Sequence, residues 1–355
     1  MLKFIFNRLS YGFLVILGVI IVVFLLFQVL PGDTVSLMVD QSSDQSVRQA
    51  IMRDFGLDQP KSKQLAMYFN DLSPVSVHPD NLEEKSKYNY AKITNIGENA
   101  LVLKKPFLRR SYQNRRRVDD IIFEHLPGTI WLALSSMLFA TTFGILFGVL
   151  AALRQNTFWD HFLVTVSVLG ISAPSFVAAV LISQFFGNYL PNHLGINLGL
   201  NTIGSLYRLD TFNGLQLEVK NIILPTIALG IRPLAIIVQL TRSAMLDVLS
   251  QDYIRTAKAK GVHYVKVVTK HALKNALNPV VTAVSGWLAS LLAGAFFIEY
   301  IFDYKGLGFI TLEAVGKKDL PVVMGAILFI ALIFVVINIL VDIVYAMIDP
   351  RVKLD

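Results

Sequence analysis

Five long stretches of this chain carry no charged residue: Leu9–Gly32, Leu126–Leu153, Phe162–Leu190, Pro279–Ile298 and Val322–Val341. Each exceeds the ~18 apolar residues that mark a membrane-spanning helix. A sixth, from Asn221 to Ser243, is interrupted by one charge, Arg232. A charge at that depth costs about 2.5–3.5 kcal/mol on insertion scales. Arg232 is therefore expected to face a water-filled cavity or an acidic partner, with snorkelling to the interface as the alternative. Pro233 is expected to break that helix, Pro225 suits its first turn, and Pro174 should kink the third span. Over 355 residues the chain is 54% hydrophobic and only 16% charged, too little charge for a soluble domain of this size.

Six spans place both termini on the same side. Lys3, Arg8, Arg154, the basic stretch between spans four and five, Arg351 and Lys353 then share that side, which the positive-inside rule makes the cytoplasm. The first run is longer than a signal-peptide core and is followed by no small-residue cleavage site, so it is read as an uncleaved span. The resulting division is 1–32 with the first span, 33–124 outside, 125–346 with the other five, and 347–355 as an inside tail. The segment 191–220, rich in Gly, Asn and Leu, also lies outside. The net charge of +7 reflects membrane surface and loop asymmetry rather than nucleic acid. With no cysteine there is no disulfide, thiolate metal site or cysteine nucleophile.

Small residues recur every fourth position in span two, at Ser136, Ala140, Gly144, Gly148 and Ala152, and predict close helix packing. In span five Ser285, Ala289 and Ala293 form one small face, and Gly286, Ser290 and Gly294 another. That width suits close packing or a cavity wall. Arg232, Ser285, Ala289 and Ala293 are thus the candidate lining of a translocation path.

Between spans four and five lies a basic stretch with coupling helices expected at about 249–275. From Leu249 to Lys260 there is no proline or glycine. Tyr253, Ile254, Ala257 and Gly261 share one helical face, with Asp252, Arg255 and Lys258 off it. Gly261 is a natural C-terminal cap. A second helix is expected from His263 towards Pro279, with Lys266, Lys270 and Lys274 in one stripe. Two readings fit: a docking element whose small Ala257 and Gly261 admit a partner, or a solvated loop beside anionic headgroups.

The segment RTAKAKG, Arg255–Gly261, resembles the cytoplasmic Glu-Ala-Ala-x-x-x-Gly motif of bacterial ABC importer permeases. QDYIRTAKAKG followed by HALKNALNPVV resembles the dipeptide/oligopeptide permease branch, which commonly carries Arg-Thr-Ala where the general motif has Glu-Ala-Ala. VLPGD (Val29–Asp33), GLDQP (Gly56–Pro60), GISAPSF (Gly170–Phe176), the loop from Glu299 through GLG at Gly306–Gly308, and VDIVYAMIDPR (Val341–Arg351) extend the similarity. Lys305 stands where proline is usual before that GLG. About 73–117 falls outside the resemblance, reads as an insertion, and has no fold legible in its residues.

The resemblance implies an all-α integral membrane protein, the transmembrane domain of a type I ABC importer. It places ATPase coupling at Asp252, Tyr253, Ile254, Arg255, Thr256, Ala257 and Gly261. It further implies a second related permease subunit, two ATP-binding cassette subunits and an extracytoplasmic solute-binding protein, with alternating access driven by ATP. Peptides are the expected cargo; relatives carry nickel chelates, glutathione and some sugars. The chain has no G-x-x-x-x-G-K-[ST] loop, H-E-x-x-H, G-x-S-x-G or EF-hand loop, and its six histidines lack ligand spacing. No catalytic residue, metal or cofactor is expected, and ATP hydrolysis is left to another chain. A secondary transporter or channel would need embedded carboxylates or a filter; the only acid seen near a span interior is Asp342. An intramembrane enzyme would need a nucleophile–base or metal constellation, and none is visible.

Overall fold

A chain that hides its backbone from lipid must do so by helices closing their own hydrogen bonds, and the long elements obey this. The computed structural model describes residues 2–29, 52, 58–97, 99–210 and 214–348. In chain order these form α1 (Leu2–Val29), α2 (Lys61–Leu72), β1 (Val75–Pro79), α3 (Leu82–Tyr88), β2 (Ala91–Ile96), β3 (Asn99–Leu103) and α4 (Val118–Leu153). There follow α5 (Phe158–Ser172), α6 (Ser175–Gln184), α7 (Leu190–Leu194), β4 (Tyr207–Asp210), β5 (Gly214–Leu217) and α8 (Lys220–Leu249). The chain continues as α9 (Asp252–Ala259), α10 (Tyr264–Lys266), α11 (Lys274–Ala276), α12 (Asn278–Gly294), α13 (Phe296–Ile301), α14 (Leu307–Gly316) and α15 (Leu320–Ile348). π-helical turns occupy Phe185–Tyr189 and Val267–Leu273.

Among the described residues, four helices are long and apolar enough to cross a membrane: α1, α4, α8 and α15. The third expected span is not one straight helix. It turns by 110° between Phe158–Ser172 and Ser175–Leu194, because Pro174 denies the helix an N–H and pushes Ala173 into extended backbone (ψ 131°). The fifth is the 17-residue α12, shorter than the ~20 residues of a typical span, and the chain continues as α13 after Ala295. Neither Pro225 nor Pro233 acts as expected: both sit inside an unbroken α8. Without water to take up freed backbone groups, keeping the rest of the ladder costs less than opening it.

By its internal packing the chain divides into two units. The first comprises Met1–Leu14, His125–Ile310 and Ile330–Asp355. Its core joins Leu132 and Met137 of α4, Leu224 and Ile237 of α8, Leu291 of α12, and Phe302 and Tyr304 beyond α13. The small stripe of α4 packs, as expected. A Cβ added at Gly144 would lie 2.6 Å from Ile237, and one at Gly148 2.8 Å from the Val238 carbonyl. Ser136 and Ala140 are fully buried. Gly170 brings α5 against Ile231 in the same way.

The second unit comprises Val15–Glu124 and Thr311–Phe329, and shows a fold for the segment whose sequence gave none. A three-stranded antiparallel sheet in the order β1-β3-β2 pairs Val77 with Leu101 and Asn95 with Ala100. Ala100 and Val102 of β3 face a small core of Tyr88, Tyr90 and Phe107. Buried Asp71 accepts from the Tyr88 hydroxyl at 2.8 Å and from Arg109 Nε at 2.9 Å, while Lys104 Nζ donates to its carbonyl. Asp319 accepts from Ser111 Oγ and the Tyr112 N–H. Ile20, Phe24, Tyr68 and Leu328 form a further apolar cluster.

Candidate coupling surface

α8 does not stop at the expected end of span four, Ser243; it runs on to Leu249. Gln251 then adopts extended backbone (φ −71°, ψ 148°), and α9 begins with Asp252 in its first turn, where a negative charge complements the helix dipole. Thr256 Oγ1 donates to the Asp252 carbonyl at 2.9 Å. The helix closes at Gly261, whose φ of +73° is left-handed and free of cost only for glycine. The Gly261 N–H donates to the Lys258 carbonyl at 3.0 Å and the Val262 N–H to that of Ala257 at 3.2 Å. These two bonds are the Schellman pattern that satisfies the last free carbonyls.

The apolar face of α9 is spent on the chain itself. Ile254 is fully buried against Met245 of α8, Ala152 of α4, and Val267, Val268, Ala272 and Ala276 of the return segment, with Ala257 packed at the edge. The expectation that Ile254 and Ala257 lie on the surface offered to a partner is corrected here. An eight-residue helix has too few hydrogen bonds to persist alone, so its apolar spacing first serves to hold it down. Tyr253 is more exposed, and Asn275 Nδ2 donates to its hydroxyl at 2.9 Å. Asp252, Arg255, Thr256 and Lys258 face outward. Arg255 and Asp252 approach to 3.5 Å, but with side chains 75% and 95% exposed the pair adds little and leaves both groups available. The second expected helix, from His263, is divided by the π turn at Val267–Leu273. Lys266, Lys270 and Lys274 are all exposed along it.

Sequence reasoning missed the pair that ties this region to α5. Arg242 of α8 donates from Nε to Asp160 Oδ1 at 2.5 Å and from its terminal nitrogen to Oδ2 at 2.8 Å; the Asn156 N–H adds a third bond at 2.9 Å. Asp160 is 1% exposed. Eighty-two positions of intervening chain leave no local spacing by which to pair them.

The path candidates separate. Arg232 is exposed on α8, and none of the ion pairs among the described residues includes it. Ser285 is half-buried, its Oγ donating to the Val281 carbonyl at 3.0 Å. Ala289 is fully buried in the first unit's core, so it packs and does not face an opening in this chain. The side chain of Ala293 lies outside the described residues. Gly286 and Ser290, the neighbouring face, are exposed. Among the described residues no group of three or more acidic or histidine side chains could hold a metal.

A buried acid also escaped the sequence reading. Asp342 meets Arg8 at 3.0 Å and stays partly exposed, whereas Glu299 of α13 is fully buried. Thr129 Oγ1 donates to Glu299 Oε1 at 2.7 Å and accepts from the Leu307 N–H at 2.8 Å; the Phe309 N–H donates to Oε2 at 3.0 Å. The carboxylate thus caps the start of α14. A Cβ at Gly306 would lie 2.5 Å from it, and one at Gly308 2.5 Å from the Phe296 backbone, which is why both positions of the GLG loop are glycine.

Two family descriptions match the chain. "Binding-protein-dependent transport system inner membrane component" covers residues 144–354, and the corresponding N-terminal family covers 1–80. The chain is similar to the di/tripeptide transport system permease protein DppB of Pseudomonas aeruginosa, at 34% identity with 99% of both chains covered. It is 33% identical to the dipeptide transport system permease protein DppB of Bacillus subtilis, over 96% of this chain and 94% of that one. It is also 33% identical to the glutathione transport system permease protein GsiC of Escherichia coli, over 99% of each.

Proposed function

The chain belongs to the binding-protein-dependent transport system inner membrane component family, and on that footing we propose that it conducts peptides as one half of an ATP-driven import pathway. It is a multi-pass inner-membrane permease subunit, working with ATPase and solute-binding partners. The assembly is completed by one related permease subunit and two ATPases, with cargo handed over by a binding protein outside. Short peptides are the cargo favoured by the similarity to di/tripeptide and dipeptide permeases.

The observation that carries the coupling role is the two-sidedness of α9. Its apolar side, Ile254 and Ala257, is locked to α8 and the return segment, while Asp252, Arg255, Thr256 and Lys258 stand outward. A partner that grips the outer side must move α8 and α12 as well, because Ile254 shares a cluster with residues leading into both. ATP closing the ATPase pair would draw α9 with it and shift the spans between inward- and outward-facing states. A few kcal/mol of differential binding suffices for such a shift. Arg232, exposed on α8 without a charged partner, is the position best suited to the path.

Gly261→Asp tests the reading. At φ +73° an aspartate costs about 1 kcal/mol or more, and its side chain projects into open space where a partner would seat. Membrane insertion should persist, ATPase co-purification should fall, and uptake of labelled dipeptide by the reconstituted importer should be lost. Normal assembly with uptake intact would remove α9 from the coupling role. Glutathione as competitor distinguishes the two cargo classes named for the relatives: displacement of dipeptide uptake by glutathione alone, with no displacement by other dipeptides, would overturn the peptide assignment.

A further inference from the structure

The second unit contains a cavity of about 290 Å³. Its floor is aromatic: Tyr88 and Phe107 are almost buried and meet edge to face, ring centroids 4.9 Å apart. Its walls are cationic, with Lys87, Arg109, Arg110 and Arg115 set against Asp71 and Glu83. Asp71 is already engaged by Arg109 and Tyr88, so that acid and that arginine neutralise one another. Three cations then remain against Glu83. Arg110 bonds the Arg115 carbonyl at 3.2 Å, and Lys87 Nζ stands 5.0 Å above the Tyr88 ring. Among the described residues neither has a carboxylate within ion-pair distance. Arg109 (φ +67°) and Arg115 (φ +60°) also hold left-handed backbone, a conformation unfavourable for side chains of this size.

We propose that this cavity binds the terminal carboxylate of a short peptide, its last side chain resting on Tyr88 and Phe107. The inference rests on the peptide-import reading for its ligand and adds a cargo site on the permease itself. Guanidinium groups match a carboxylate with paired, charge-assisted hydrogen bonds. An anion relieves the mutual repulsion of Lys87, Arg110 and Arg115. The volume sits at the low end of the ~300–1,000 Å³ usual for small-molecule sites, which suits a ligand of one or two residues.

The test is calorimetry on the full chain in nanodiscs of zwitterionic lipid, without binding protein, titrated with Ala-Phe, with its C-terminal amide and with inorganic phosphate. Ala-Phe should bind, and the amide should bind about tenfold more weakly for loss of a charge-assisted contact. Lys87→Ala and Arg110→Ala, both exposed side chains, should each weaken Ala-Phe by about tenfold as well. Arg116→Ala, which breaks only an exposed pair with Glu124, should leave binding unchanged. Equal binding of acid and amide, phosphate binding as tightly as the peptide, or variants without effect would each overturn the site. So would a loss confined to association of the binding protein, which would make an acidic protein segment the occupant. Dipeptide uptake by the assembled wild-type importer separates the two readings. Uptake without calorimetric binding refutes the cavity alone, whereas absence of uptake refutes peptide import.

Discussion

Asp160 shows what one buried charge demands. Its carboxylate, 1% exposed, is held by both nitrogens of Arg242 and by a main-chain N–H. Removing one partner of a buried pair costs about 3–5 kcal/mol, because the other charge is stranded. Arg242→Ala should therefore lower the thermal unfolding midpoint in detergent more than Asp160→Asn, which keeps an acceptor for the Asn156 N–H. Equal midpoints for wild type and Arg242→Ala would show the pair to be dispensable. His78 makes the same point with pH. It is buried in the second unit beside Ser76 Oγ and Glu84, both at 3.1 Å, with Lys104 and Asp71 nearby. Burial holds its pKa below the ordinary value, against the pull of Glu84. An unfolded histidine takes up its proton near pH ~6.5, before the folded one does. Stability is then full above that pH and is lost as pH falls towards the folded pKa. Hydrogen exchange across Val75–Leu103, corrected for intrinsic rate, should speed up between pH 7.5 and 5.5, and His78→Gln should flatten that change.

At the scale of elements, α9 combines two tasks on opposite sides. Ile254→Ala opens a cavity costing about 2–5 kcal/mol, so it should loosen α9 and reduce both ATPase binding and thermal stability. Arg255→Glu and Lys258→Glu alter only exposed side chains. They should leave the unfolding midpoint unchanged while reducing ATPase co-purification and substrate-stimulated hydrolysis. If the charge reversals leave both unaffected while Ile254→Ala abolishes them, the outer face is not what the partner grips. The long helices follow a different rule. α4 and α8 approach as closely as they do because Gly144 and Gly148 have no side chain at the crossing, and in lipid such contact replaces the hydrophobic drive between helices.

For the whole molecule the issue is which side each segment faces. The proposed orientation puts both termini and α9 inside and the second unit's sheet outside. The chain has no cysteine, so single cysteines report cleanly. Ser86→Cys on α3 and Ser250→Cys before α9 are both exposed positions. An impermeant thiol reagent should label Ser86→Cys in spheroplasts and Ser250→Cys only after permeabilisation; the reverse pattern would invert the topology. The basic run at Lys104–Arg117 is compatible with an outside location because the positive-inside bias fades for loops beyond ~60 residues. The structure also shows its arginines engaged locally: Arg109 with Asp71, Arg116 with Glu124 and Arg117 with Asp119.

By itself the sequence determined the helical membrane class, the positions of the six apolar segments, the Gly261 cap and the packing stripe of α4. Each of these depends on local composition or on spacing within one helix. Tertiary structure alone decided that Ile254 turns inward, that Ala289 belongs to the core, and that α8 runs straight through Pro233. It also decided that Asp160 finds Arg242 and that Glu299, not Asp342, is the buried acid. Periodicity says which residues share a face but not what that face meets, and a long-range ion pair leaves no trace in spacing. The sheet at 75–103 went unread for a related reason: its buried positions include Ser76 and His78, whose partners come from other elements, so its alternation is not one of apolar and polar residues.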